Sequence, residues 1–263
     1  MSATKLTALV TGASGGIGEE LARLFAADGH SLVLVARSRD KLERLAAELR
    51  DKHQVAARVI AADLSAPESP REMFEELRGA GVTIDALVNN AGFGTYGLFA
   101  ETDLKSELGL LQVNVVALTH LTKLFLPGML ARGRGYVMNV ASTAAFQPGP
   151  LMAVYYASKA YVLSLSEALS NECEGTGVRV SALCPGPTET GFVAAAGMGD
   201  SKLFDRAVMD ARTVAEAGYR GLLAGKPVVI PGTRNNLLAR SIGFFPRGLV
   251  TKVVRGIQEK RSR

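Results

Sequence analysis

Tyr155 and Lys159 stand four residues apart, and Ser142 lies thirteen residues before the tyrosine. Four-residue spacing on a helix puts the phenol and the ammonium on one face. A free phenol titrates near pH ~10, and a neighbouring ammonium favours its ionised form. A tyrosine tuned in this way can give a proton to a developing alkoxide, or act as base in the reverse direction. A serine hydroxyl beside it can hydrogen-bond the same oxygen as charge builds there. By itself a Tyr/Lys helical pair is more often structural; with Ser142 and a cofactor turn in the same chain, the three predict interconversion of a carbonyl and an alcohol. Tyr156 is a decoy, because Ala160 follows it at the same spacing. Its expected place is the packing or the pocket edge.

Such a reaction needs a hydride, and the other end of the chain offers a site for its carrier. Residues 11–18 read Thr-Gly-Ala-Ser-Gly-Gly-Ile-Gly, after an apolar run and before a helical pattern. In a strand-to-helix turn, glycines let backbone N–H groups reach a pyrophosphate at the positive end of the helix. Gly12, Gly16 and Gly18 are placed to give the turn, the close approach and the helix–strand contact. An NAD site usually carries an acid at the end of the second strand. Here that end reads Val35-Ala36-Arg37-Ser38-Arg39, with no acid before Asp40. A guanidinium suits a 2′-phosphate through charge-assisted hydrogen bonds. Ser14 can add a donor, and NADP(H) is the expected cofactor.

These residues need a scaffold, and the hydrophobic pattern supplies one. Strand patterns fall at Leu6–Val10, Leu32–Ala36, Ala56–Ala61, Ile84–Asn89, Gly135–Ala141, Val178–Leu183 and Pro227–Ile230. Helical patterns fall between them, at Gly16–Ala27, Asp40–Lys52, Pro67–Arg78, Asp103–Leu130 and Val154–Glu174. Near-continuous apolar runs indicate strands covered on both faces, and the alternation implies parallel strands with helical crossovers. The expected fold is α/β: one doubly wound Rossmann-type sheet over residues 1–233, with helices on both faces. A basic amphipathic helical extension over 234–263 is expected to pack on or beside it.

Composition narrows the class. Of 263 residues, 48% are apolar and 21% charged, so core material is ample. The net charge of +5 is uneven: Arg234 to Arg263 holds eight Lys/Arg and one acid, Glu259, a balance of +7 that leaves the rest at −2. A basic tail on an acidic body argues against nucleic-acid binding. Cys173 and Cys184 have no metal-like spacing and read as buried thiols. His30, His53 and His120 form no cluster, so no metal site is expected. The first residues lack the apolar stretch of a signal peptide, and no uninterrupted apolar run reaches the roughly 20 residues of a bilayer span. The expected location is the cytoplasm.

Taken in order, these motifs resemble the short-chain dehydrogenase/reductase family over roughly residues 5–230. Thr11-Gly12, Gly16, Ile17 and Gly18 resemble its cofactor turn, and Asp63-Leu64 its adenine-contacting pair. Asn89-Asn90-Ala91-Gly92 resembles its signature after the fourth strand. Pro185-Gly186-Pro187-Thr188-Glu189-Thr190 resembles the segment that closes over the nicotinamide. The resemblance implies Thr188 toward the carboxamide and Thr190 toward the phosphates. It also implies that Lys159 holds the nicotinamide ribose beside Tyr155, that Asn114 anchors a proton-relay water, and that the chain forms a homodimer or homotetramer. The alternatives are a catalytically silent dinucleotide-binding regulator and a non-redox lyase or epimerase. The intact Asn114, Ser142, Tyr155 and Lys159 argue against the first. The second usually needs a larger substrate domain.

Three segments should ring the substrate: 93–99, 143–153 and 188–209. They bring Phe93, Tyr96, Phe99, Phe146, Leu151, Met152, Phe192, Met198, Leu203, Phe204 and Met209, and the first two hold no basic side chain. That favours a small apolar ketone, aldehyde or alcohol over a sugar or free acid. The small, glycine-punctuated residues 194–199 suit a lid. Beyond them, Leu249, Val250, Val253, Val254 and Ile257 recur at helical spacing, with Arg247, Lys252, Arg255 and Lys260 largely elsewhere on the wheel. Such a helix packs against the domain or a sister subunit, or makes weak peripheral contact with an anionic membrane or acidic carrier.

Overall fold

A computed structural model describes residues 5–192 and 208–259. Seven parallel strands form the central sheet: β1 (Thr7–Thr11), β2 (Ser31–Ala36), β3 (Ala57–Ala61), β4 (Ala86–Asn89), β5 (Gly135–Val140), β6 (Val178–Leu183) and, after a separate two-stranded pair, β9 (Val228–Val229). The pair is β7 (Thr188–Glu189) with β8 (Met209–Asp210). Spatial order is β3-β2-β1-β4-β5-β6-β9. The chain reverses its direction of travel between β1 and β4, and the crevice at the carboxyl ends of those strands is where ligands bind in such sheets.

Both faces of the sheet are buried, as the continuous apolar runs required. Alternate residues serve opposite cores: Ala8 and Val10 of β1 face one side, and Leu9 the other. The first core is covered by α1 (Gly16–Ala27), α2 (Arg39–His53) and, later in the chain, the helix Ala211–Leu223; it takes in Phe25, Leu42 and Leu222. The second is covered by α3 (Ser69–Gly79) and a long helix, through Met73, Leu77, Leu121 and Phe125. A polar chain crosses the interior, with the Asn89 amide donating to Thr122 and Asn139, and Asn139 donating to Ser166. It ties β4 and β5 to the helices behind them.

The long helix corrects one expectation. Leu104–Ala131 is, by length and composition, long and apolar enough to cross a bilayer. Counting uninterrupted apolar residues missed this, because polar residues interrupt a helix that is apolar on average. Of its inner residues, Val113, Ala117, Leu121 and Phe125 are buried in the second core, and Leu110 in a further cluster with Met152, Tyr155 and Tyr156. The helix has three parts: α4 (Leu104–Leu111), a π-helical stretch Gln112–Ala117 and α5 (Leu118–Ala131). Wide turns of this kind recur at functional sites, and Asn114 lies within this one. Among the described residues the remaining α-helices are α6 (Ala153–Glu172), α7 (Ala211–Leu223), α8 (Thr233–Ser241) and α9 (Arg247–Gln258).

Candidate active site

The β1–α1 turn is built to leave backbone donors free. Gly12 and Gly16 have φ of 66° and 59°, conformations that side chains resist. A Cβ on Gly18 would lie 2.4 Å from the carbonyl oxygen of Gly12. That glycine therefore lets α1 start directly beneath the turn. The first N–H groups of α1 have no side-chain cap, so they are available to an anion. Asn90 fixes the turn from below: its amide donates to the carbonyls of Thr11 (3.0 Å) and Gly12 (3.2 Å). Thr190 brings its methyl against Gly16.

One cleft of about 1180 Å³ runs from this turn across the carboxyl ends of the strands. It is lined by Gly12, Ser14, Gly16, Ile17, Arg37, Asp63, Leu64 and Asn90, and by Ser142, Tyr155, Lys159, Pro185, Gly186, Thr188 and Thr190. Gly18 and Asn114 do not line it; they act from behind. Arg37 faces the cleft, whereas Arg39 turns to Glu43 at the start of α2. Asp63 accepts from the backbone N–H of Ser65, which lowers its pKa, with a smaller contribution from Arg37.

Ser142, two residues past the end of β5, has extended backbone and caps the turn Thr143–Phe146 by accepting from Ala144 N–H (3.1 Å). Its hydroxyl donates to the Pro185 carbonyl (3.4 Å), and its presence beside Tyr155 favours the phenolate slightly. Lys159 donates to the Val140 carbonyl (2.8 Å), and its Nζ lies 5.8 Å from the centre of the Tyr155 ring. Asn114 spends both amide hydrogens, on the Phe93 carbonyl (3.0 Å) and Ser158 Oγ (3.1 Å), and accepts from Phe93 N–H. Only its oxygen keeps a free lone pair. A Cβ on Gly92 would meet that oxygen at 3.0 Å and Lys159 Nζ at 3.4 Å. Glycine is what allows the two to share this corner.

The electrostatics reverse one expectation. Burial pushes the Tyr155 phenol up to about 12 and the Lys159 ammonium down to about 8. Desolvation outweighs the attraction, because the ammonium is directed at a backbone carbonyl and both groups are buried. Burial also raises Tyr156, which edges the cleft together with Gln147. A stability consequence follows for Lys159. Its folded pKa, about 8, lies below the ordinary 10.5. Between those values the unfolded chain binds more protons, so this group makes stability rise with pH. Lys159→Met should gain stability relative to wild type below pH ~8 and lose that advantage as pH climbs toward the unfolded value. Urea unfolding across that range checks it; a difference independent of pH would contradict the assignment.

The substrate ring differs from expectation. Phe93, Met152 and Phe192 line the cleft. Phe146 and Met209 pack into the cores instead, Phe99 points to solvent, and neither Tyr96 nor Leu151 reaches the cleft wall. Met198, Leu203, Phe204 and the 194–199 segment lie outside the described residues. Sequence reasoning missed Lys41, Lys105, Gln112 and Gln147, all of which line the cleft. Lys105 begins α4 just after the Asp103 cap, which was the available signal. Both cysteines are free and buried, and no metal-binding cluster occurs among the described residues.

A doubly wound sheet, a phosphate turn and a Ser–Tyr–Lys site in one crevice define a nicotinamide-dependent oxidoreductase. The chain belongs to the short chain dehydrogenase family, whose profile matches residues 6–200. A short-chain dehydrogenase from Sphingobium yanoikuyae, solved in complex with NADPH, is 34% identical with a TM-score of 0.83, covering 97% of this chain and 98% of that one. The bulky-bulky ketone specific alcohol dehydrogenase of Comamonas testosteroni is 33% identical at a TM-score of 0.78, covering 92% of this chain and 94% of that one. The very-long-chain 3-oxoacyl-CoA reductase of Phaeosphaeria nodorum is 36% identical over 180 residues, 66% of this chain and 52% of that protein. The chain spans about half the length of this curated relative.

Proposed function

We propose that the protein reduces a bulky, apolar ketone or aldehyde with NADPH, or oxidises the corresponding alcohol with NADP. The observation that carries the reading is the single cleft joining the uncapped glycine turn and Arg37 to Ser142, Tyr155 and Lys159. The residues fit the dinucleotide: N–H groups of the turn for the pyrophosphate, Arg37 and Ser14 for a 2′-phosphate, Asp63 and Leu64 for the adenine end, and Thr188 and Lys159 for the nicotinamide end. When bound, NADPH supplies the hydride.

The chain's own residues handle the oxygen. Tyr155 stays protonated at neutral pH, since burial holds its pKa near about 12, which is the form a proton donor needs. Its hydroxyl protonates the substrate oxygen, and Ser142 donates a hydrogen bond to that oxygen as charge develops. Lys159, lowered to about 8, can exchange a proton near neutrality and recharge the tyrosine. The oxygen of Asn114, beside the same corner, can accept from a bridging water. Phe93, Met152 and Phe192 present an apolar wall, and the Comamonas and Sphingobium relatives support a bulky ketone and NADPH respectively. Steady oxidation of NADPH with bulky apolar ketones, and none with sugars, is the expected result. No turnover across such a panel would overturn the reading.

We further propose a homodimer or homotetramer. Leu104, Leu108, Val116 and Leu130 along the long helix and Tyr161 on α6 leave apolar surface uncovered, and family members commonly associate. Light scattering should report more than one chain per particle at micromolar concentration; a monomer would count against it.

A further inference from the structure

The residues after the two-strand pair carry a feature that the reaction does not use. Helix α9 has two apolar faces. Its inner face, through Val250 and Val254, packs with Met152, Tyr155 and Tyr156. The Tyr96 hydroxyl pins it there by donating to the Gln258 carbonyl at 2.7 Å. Its outer side continues the apolar arc into solvent: Leu249 and Val253 are 52% and 54% exposed. On the turn just before the helix, Phe244 is 89% and Phe245 54% exposed, next to Pro246. Packing on the domain therefore explains only half of the stripe.

The charges follow the same segment. Arg234, Arg240, Arg247 and Lys252 are exposed, and none has a carboxylate within salt-bridge distance among the described residues. Only Arg255 finds one, on Glu259 at 3.4 Å. Among the described residues these four cations meet no carboxylate, Arg240 donating only to the Asn236 side-chain oxygen at 2.7 Å, and they flank side chains that water should not favour.

We propose that segment 234–259 docks on an anionic phospholipid surface, with Phe244 and Phe245 inserting at the interface and Arg234, Arg240, Arg247 and Lys252 meeting the headgroups. This arrangement of an apolar face bordered by cations is what holds helices in the interfacial plane. Two competing occupants fit less well. A second copy of the chain meeting this face about a two-fold axis would set the same patch against itself, and so the same cations against one another. An acidic protein would satisfy the cations, but it would also need a pocket for Phe244, which stands out on a turn. Docking would hold the lipid one helix-width from Met152 and Tyr155, so an apolar substrate could pass from the bilayer edge to the cleft.

The test uses the full chain and vesicles of phosphatidylcholine, with and without phosphatidylglycerol, at low and high salt. Binding is read by co-sedimentation, independently of any turnover, so its failure is distinct from failure of the proposed reaction. Wild type should bind the anionic vesicles at low salt, release at high salt and ignore pure phosphatidylcholine. Arg247→Gln with Lys252→Gln should weaken binding roughly fivefold per charge removed. Phe244→Ser with Phe245→Ser should weaken it about tenfold or more. Both pairs should keep the wild-type circular dichroism and NADPH affinity. The proposal is overturned if wild type ignores anionic vesicles at low salt, or if neither pair changes binding. It is also overturned if light scattering shows that the phenylalanine pair splits a wild-type oligomer, which would make this face a contact between copies.

Discussion

Tyr155→Phe should remove turnover by about 10²–10⁴-fold, the usual contribution of a positioned acid, while NADPH binding changes little. The ring stays, and with it the contact with Phe192 at 5.1 Å between centroids; only the hydroxyl goes. Tyr156→Phe is the matched control. It carries the same phenol one residue later, but that residue edges the cleft together with Gln147, and loss of its hydroxyl should cost less than tenfold. Initial rates and coenzyme fluorescence titrations on the two variants check this. A dead Tyr156→Phe with an active Tyr155→Phe would mean that the reacting oxygen lies elsewhere.

Arg37→Asp should weaken NADPH by roughly tenfold to a hundredfold, since a charged hydrogen bond contributes about 1.5–3 kcal/mol. It should leave NADH unchanged or improved, because an acid at this position can accept from a ribose hydroxyl. Arg39→Gln serves as the control, as Arg39 pairs with Glu43 and lies outside the cleft. Lys41, which does line the cleft, should show a smaller loss when replaced by Gln. Titration of both coenzymes decides the matter. Equal affinity of the wild type for NADPH and NADH would contradict the role given to Arg37.

The features that sequence reading recovered are those written in local pattern. Helix α1 falls on residues 16–27 and β6 on 178–183, as periodicity and glycine punctuation indicated. Both sets of cleft residues were legible because turn glycines and a Tyr-x-x-x-Lys pair carry their meaning within a few residues. What the sequence hid depends on distant neighbours. The π turn around Asn114 has the same apolar period as an ordinary helix. The raised phenol of Tyr155 reflects burial, which spacing to Lys159 does not encode. Phe146 and Met209 are apolar residues in the right segments, but the folded chain turns them into its cores. Lys105 and Gln147 reach the cleft from a helix start and a loop that lie far apart in sequence. The apolar stripe of α9 is visible in its spacing, yet the partners of Val250 and Val254, Met152 and Tyr155, are about a hundred residues away.

The central claim is that hydride and proton meet on one substrate carbon and oxygen in this cleft. The direct measurement is transfer from NADPH deuterated at the nicotinamide C4, with a bulky apolar ketone, read by mass spectrometry of the alcohol. Wild type should place one deuterium on the carbinol carbon, and Tyr155→Phe should do so about 10²–10⁴-fold more slowly despite bound coenzyme. NADPH that binds tightly to wild type while no label ever reaches any ketone would contradict it, and would leave a dinucleotide-binding protein without this chemistry.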